Sequence, residues 1–172
     1  GFVEFLIMNS RSMNLKFDHV QDMFRIFVTE ATTEVETREF FIFLTKQNPN
    51  AKSKERIYLL GESLKYKVFT EIMCNEQAMN CLNLNSQAYE CFKNLFIGVN
   101  LQEQALQMDS RGDIYVNGQV EKLQGINSLW KIALQCHTDE VKEQCRITLV
   151  DLHLKNRTKN PASFERIHDT FA

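Results

Sequence analysis

Chain punctuation is scarce. The 172 residues include six glycines and two prolines, Pro49 and Pro161. A sandwich or barrel of many short strands needs turn residues about every 8–12 positions, so that class is excluded. No glycine-rich loop of the G-x-G-x-x-G or G-x-x-x-x-G-K type occurs, which removes the usual nucleotide-binding readings. No apolar run approaches the ~20 residues that span a bilayer, and no secretory leader heads the chain. No membrane association is expected.

A dominant charge is missing too. Lys and Arg number 20 against 22 Asp and Glu, a formal net charge of −2. Nucleic-acid domains concentrate a basic excess on one face, because phosphate neutralisation dominates their affinity. Here the bases are scattered, and the densest group, Lys52, Lys54 and Arg56, reads as a solvated loop or helix start. No nucleic-acid partner is expected. Cysteine also lacks a framework. Cys74, Cys81, Cys91, Cys136 and Cys145 are odd in number and share no short spacing, which suits free thiols in a reducing, cytoplasmic compartment. The opening Gly1-Phe2-Val3-Glu4, with no initiator Met, suggests a piece of a longer chain.

What is present is helical periodicity. Hydrophobic residues make up 44% and charged residues 24%, a globular balance. Val20, Met23, Phe24, Phe27, Val28 and Ala31 fall on one helical face after Asp18, a candidate N-cap. Thr33 and Glu36 have capping-box spacing, and Val35 and Phe40 to Leu44 follow up to Pro49. Ile57 to Leu60, ended by Gly61, and Tyr66 to Asn75 suggest two short helices. Asn80 to Asn85 reads as loop. Ser86 to Val99 is a strong helix, with Ala88, Cys91, Phe92, Leu95, Phe96 and Val99 on its stripe. Ile126, Leu129, Trp130, Ala133 and Leu134 form the next. Thr138 then caps a helix buried through Val141, Cys145, Thr148, Leu149 and Leu152. A last segment after Asn160-Pro161 carries Ser163, Phe164, Ile167, His168 and Phe171.

The region 101–125 breaks this pattern. Asp109-Ser110-Arg111-Gly112-Asp113 and Asn117-Gly118 are turn signals around Ile114-Tyr115-Val116, so a long mobile loop or a small hairpin is expected. The fold class predicted is all-α: antiparallel helix pairs, 19–31 with 34–47 and 126–136 with 139–155, stacked as a degenerate HEAT- or armadillo-like α-solenoid fragment. The whole chain, 1–172, is one unit: first helical pairs over 1–100, the loop over 101–125, last pairs over 126–172.

Chemistry-bearing constellations are sparse. Nucleophilic catalysis needs a thiolate or alkoxide beside a base. The nearest pairing, Cys136-His137, sits at a helix end where neighbours point apart, and reads as a buried thiol beside an exposed imidazole. Cys136, His137, Cys145 and His153 are the nearest approach to a metal set, and they read as core thiols and surface imidazoles rather than as ligands. No catalytic, cofactor-binding or metal residue is assigned, and the partner-binding residues are not identifiable. Arg111-Gly112-Asp113 reads as a turn, and Asn156-Arg157-Thr158 as an acceptor string that matters only in a secreted protein. Trp130, the lone tryptophan, reads as a core anchor whose loss to alanine costs about 3–5 kcal/mol.

One set of motifs goes further. The order Leu82-Asn83-Leu84-Asn85, Tyr89-Glu90-Cys91-Phe92, Phe96, Val99-Asn100, then a polar loop and Gly125-x-x-x-Leu129-Trp130, resembles a segment of the large fat facets-type ubiquitin-specific proteases. The Val141 to Leu154 helix and Phe164-x-x-x-His168-x-x-Phe171 fall in the same order. The resemblance covers roughly residues 80–172. It implies a helical-repeat scaffold outside the thiol-protease domain of a deubiquitinase. The family's Gly-Asn-Thr-Cys box and its His box are absent, so no catalytic residue carries over. The expectation is a non-enzymatic, cofactor-free, monomeric scaffold with protein partners. The alternative is a helical-repeat adaptor of an unrelated cytosolic assembly.

Overall fold

The computed structural model describes residues 15–45 and 60–156. The described chain is mostly helical. In order it comprises α1 (Phe17–Phe24), α2 (Glu34–Thr45), α3 (Glu62–Val68), α4 (Ser86–Gln102), a two-stranded sheet of β1 (Leu106–Met108) and β2 (Ile114–Val116), then α5 (Ile126–Gln135) and α6 (Asp139–Asn156). Two helices end in widened π-type turns, Arg25–Thr29 after α1 and Phe69–Met73 after α3. Short 3-10 turns lie at Cys81–Asn83 and Val120–Lys122.

Helix α4 is the hub. It packs against α2, α3, the 69–73 turn, β1 and α6. Its expected stripe, from Ala88 through Val99, is buried throughout. Phe92 and Phe96 stack with centroids 6.4 Å apart, and Phe69 meets them at 5.3 and 6.3 Å. Such aromatic geometry adds to the area these rings bury. A second aromatic group, Phe24, Phe40 and Phe41, joins α1 to α2 edge-to-face. Phe40, Phe41, Phe43 and Leu44 are all buried, as their nearly all-round apolar run requires, but Val35 is exposed. The pair α5 with α6 is also observed, with Val141, Cys145, Thr148, Leu149 and Leu152 buried as expected.

The helix boundaries need several corrections. Asp18 is not the cap of α1. The helix starts one residue earlier, behind Lys16, whose backbone amide donates to Nδ1 of His19 at 3.2 Å. Phe17 packs against the core, with Lys67 Nζ over its ring, and draws the chain into helix before Asp18. The Thr33–Glu36 box does form: Glu36 Oε2 accepts from the amides of Thr32 and Thr33. Those hydrogen bonds hold the Glu36 carboxyl below its ordinary range. Gly61 is the N-cap of α3; Ile57, Tyr58 and Leu59 lie outside the described residues, as do Pro49, Pro161, the basic group at 52–56, Arg157, Thr158 and the Phe164–Phe171 segment. Helix α4 runs on to Gln102 and stops where Gln104 turns to φ 59°.

Two packing expectations also change. On α5, Leu134 is 46% exposed and Ile132 is fully buried. The reason is that α5 is covered twice, by α6 and by the 81–83 turn, so its buried face is wider than one stripe. Trp130 is only partly buried, resting on the core rather than anchoring it. Thr138 precedes α6, but its hydroxyl donates to the Leu84 carbonyl at 2.9 Å, fastening the α5–α6 junction to the loop before α4. Asp139 and Glu140 do occupy the first turn of α6.

Within the 101–125 region the small hairpin forms, β1 paired with β2, followed by the 120–122 turn. Leu106 pairs with Val116 and Met108 with Ile114, and Leu106 and Val116 are buried against α4 and α6. The Asp109–Asp113 turn is closed by Asp109 Oδ1, which accepts from the amides of Arg111 and Asp113. Behind it, Asn100 is wholly buried, donating to the Gln124 carbonyl at 3.0 Å and accepting from the Gln124 amide at 2.8 Å. That clamp holds the end of α4 beside Gly125, which starts α5 with φ 79°.

Candidate functional site

The docked hairpin walls a groove. Helices α4 and α6 form its sides and the hairpin one end, enclosing about 450 Å³. The floor is apolar: Phe96, Leu106 and Leu152 are buried, with Ile97 and Ile114 half-buried above them. The spacing on each helix explains the walls. Glu90, Lys93 and Ile97 lie on one face of α4, and Ile147, Asp151 and Lys155 on one face of α6, at three- and four-residue steps. The rim thus carries an acid and a base on each side and no net sign. Ile147 stands 54% exposed on its wall.

Thr148 ties the two helices beneath the groove. Its hydroxyl donates to the Gln144 carbonyl at 3.0 Å, so Tyr89 is the donor in the 2.9 Å contact between the two hydroxyls. Burial raises the Tyr89 phenol above its ordinary value, which keeps it neutral. The groove thus offers an apolar floor beneath a mixed-charge rim. A smaller concavity of about 240 Å³ lies between the 25–29 turn, α2 and the start of α4.

The thiols are not brought together into a reactive group. Cys91 is fully buried, and burial drives its thiol far up. Cys145 donates to the Leu129 carbonyl at 3.0 Å and is pushed up to about 12, mainly by burial. Burial also pushes Cys74 up to about 11. It raises Cys81 as well, against an opposing pull from Lys131. Raised thiols are inert, since the thiolate is the nucleophile.

The residues weighed as metal ligands do not converge. His137 Nδ1 sits 2.9 Å from Asn83 Oδ1, Cys145 bonds the α5 backbone, and His153 lies edge-on to Trp130. Among the described residues no group of three or more His, Cys, Asp or Glu is placed to hold a metal. His153 is moreover buried rather than a surface imidazole. Sequence reading passed over the groove because Glu90, Lys93, Asp151 and Lys155 look like ordinary solvated positions. The one signal available was Ile147, an apolar residue off the buried stripe of α6. No helix among the described residues is long and apolar enough to cross a membrane. No protein-family model, no curated protein and no solved structure matches the chain.

Proposed function

We propose that this chain is a non-catalytic helical scaffold that binds protein partners, a fragment of a degenerate HEAT- or armadillo-like α-solenoid in the cytoplasm. Its parent would be a large ubiquitin-specific protease that removes ubiquitin from conjugates, with the catalytic domain outside this chain. The observation that carries the scaffold reading is the groove between α4 and α6, an apolar floor with a balanced charged rim. Such a surface suits a protein segment better than a small reacting substrate. Support for the parent comes from the residues of the resemblance, whose motifs fall on coherent structural parts: Tyr89, Cys91 and Phe92 inside the hub helix, Gly125 at the head of α5, Leu129 beneath it. The raised thiols support a non-enzymatic role.

The test has two arms. A ubiquitin electrophile probe should capture none of the five cysteines, and capture of any one overturns the non-catalytic reading. The second arm uses a parent protease carrying this chain. Ile147→Asp, placed in the groove, should weaken partner binding at least tenfold, with α-helical signal and probe labelling of the parent unchanged. Val35→Asp, equally exposed but remote, should leave it intact. Equal binding by both variants would refute the groove as the contact surface. Flanking sequence without a Cys box would favour the adaptor reading.

A further inference from the structure

Four buried polar atoms lie without partners on the last two turns of α6. Nδ1 and Nε2 of His153 and both side-chain amide atoms of Asn156 make no hydrogen bond, although the residues are only 4% and 0% exposed. Three positions apart, they share one helix face. Buried polar side chains are nearly always satisfied, and a cluster left unsatisfied marks a segment whose closed packing is finely poised.

The surroundings of His153 define what could tip it. On α5 it meets Trp130, edge-on with centroids 6.1 Å apart. On the 120–122 turn, Glu121 is the charged group whose field reaches it. Lys122 on that turn, Lys131 on α5, His137 just beyond the end of α5, Tyr115 on β2 and Glu90 and Lys93 on α4 stand on or beside elements packed against α6, while burial lowers and Glu121 raises its pKa. Asp151 and Lys155 of its own helix line the groove on another face.

We propose that His153 is an acid-sensitive latch: protonation of its imidazole releases the end of α6 from Trp130 and the 120–122 turn and opens His153 and Asn156 to water. The neutral ring tolerates the closed packing while forfeiting two hydrogen bonds. The imidazolium brings a charge and two donors to ring nitrogens that have no hydrogen-bond partner, with Glu121 as the counter-charge among the described residues. Opening hydrates the cation and, in the same movement, the Asn156 amide. Because the proton binds the open state more tightly, it shifts the population toward that state. Burial holds the ring's pKa below its ordinary 6.5, which is the same linkage seen from the closed side. Leu152 and Lys155, on the same turns, line the groove, so opening removes part of its wall. The inference rests on the α5–α6 packing and stands whether or not the groove is the partner surface.

Trp130 is the chain's one tryptophan, so its fluorescence reports the latch directly. Fluorescence and far-ultraviolet circular dichroism of the 172-residue chain are followed from about pH 8 to about pH 5. The wild type should show a reversible one-proton fluorescence transition with a midpoint below 6.5 while most helix persists. His153→Phe should lose it. Glu121→Gln, which removes the counter-charge, should shift the midpoint to lower pH; as an exposed change it serves even where His153→Phe does not fold. A flat wild-type profile, an unaltered transition in His153→Phe, or an unmoved midpoint in Glu121→Gln would each overturn the latch.

Discussion

Gly125→Ala separates two physical reasons for a glycine. The residue sits at φ 79°, ahead of α5, in the left-handed region. A Cβ there crowds its own carbonyl and costs roughly 1–2 kcal/mol. The same Cβ would also meet the buried Phe69 ring, reaching Cζ and coming within 2.8 Å of Cε1, with Cys74 Sγ at 3.2 Å. Phe69 has no room to retreat, being fully buried among Phe92 and Phe96. Overpacking of this kind adds about 1–3 kcal/mol, so the total is roughly 2–5 kcal/mol. Gly112→Ala is the matched control: φ is 87°, but nothing lies within 4 Å of its Cβ, leaving only the backbone part, about 1–2 kcal/mol. Urea unfolding of the wild type and both variants gives the values, provided the slopes agree. The difference between the variants is the steric contribution of Phe69. If the two lose the same stability to within about 0.5 kcal/mol, the close approach of α5 to the 69–73 turn is wrong.

The other expectations follow from burial and titration. Trp130→Ala should cost about 1–3 kcal/mol, below the about 3–5 kcal/mol of a fully buried aromatic, because the ring is only partly covered; a larger loss by urea titration would restore the core-anchor reading. In a thiol-reagent assay near pH 8, Cys74, Cys91 and Cys145 should stay silent in the native chain and all five thiols should label in denaturant, since burial raises those three; prompt native labelling of Cys91 would contradict its position in α4. Stability should fall with acidification: His153 is depressed below 6.5 in the fold, so the unfolded chain binds the proton better. Its contribution is therefore whole above about 6.5 and is lost as pH drops from there toward the folded value, and urea midpoints in that window that do not decline would refute its burial. Amide exchange should protect residues 106–108 and 114–116 at levels approaching α4, whereas free exchange there would return the region to a mobile loop.

How far the fold can be read from sequence depends on which residues meet solvent and which meet each other. The stripes of α4 and α6 were legible because their apolar residues recur every third or fourth position and each helix has one broad buried face. Helix α5 was less legible. Two neighbours cover it, so Ile132 is buried and Leu134 is not, an outcome set by the 81–83 turn rather than by local period. The hairpin was legible as turn signals around Ile114-Tyr115-Val116. Its docking was not, because that depends on Leu106 and Val116 finding α4 and α6.

The candidate site was harder to read for a related reason: of the polar residues that organise it, Thr148 falls on the expected buried stripe of α6, but Asn100, His153 and Asn156 occur at positions where sequence logic assigns them to water. Asn100, Thr148, His153 and Asn156 are all buried. Asn100 is fully used, clamping Gln124 through both ends of its amide. Thr148 is fully used, passing a hydrogen bond from Tyr89 to Gln144. His153 and Asn156 are not used at all. The two buried asparagines thus fall into different energetic classes that no local pattern separates, since the long-range partners of Asn100 and Thr148 lie 24 and 59 positions away. The satisfied pair holds the groove's shape, because one fixes the end of α4 beside the hairpin and the other ties α4 to α6. The unsatisfied pair occupies the turns of α6 that finish the groove's wall. The groove is therefore framed by hydrogen-bonded polar residues in one part and by unpartnered ones in another, an arrangement that only long-range contacts create.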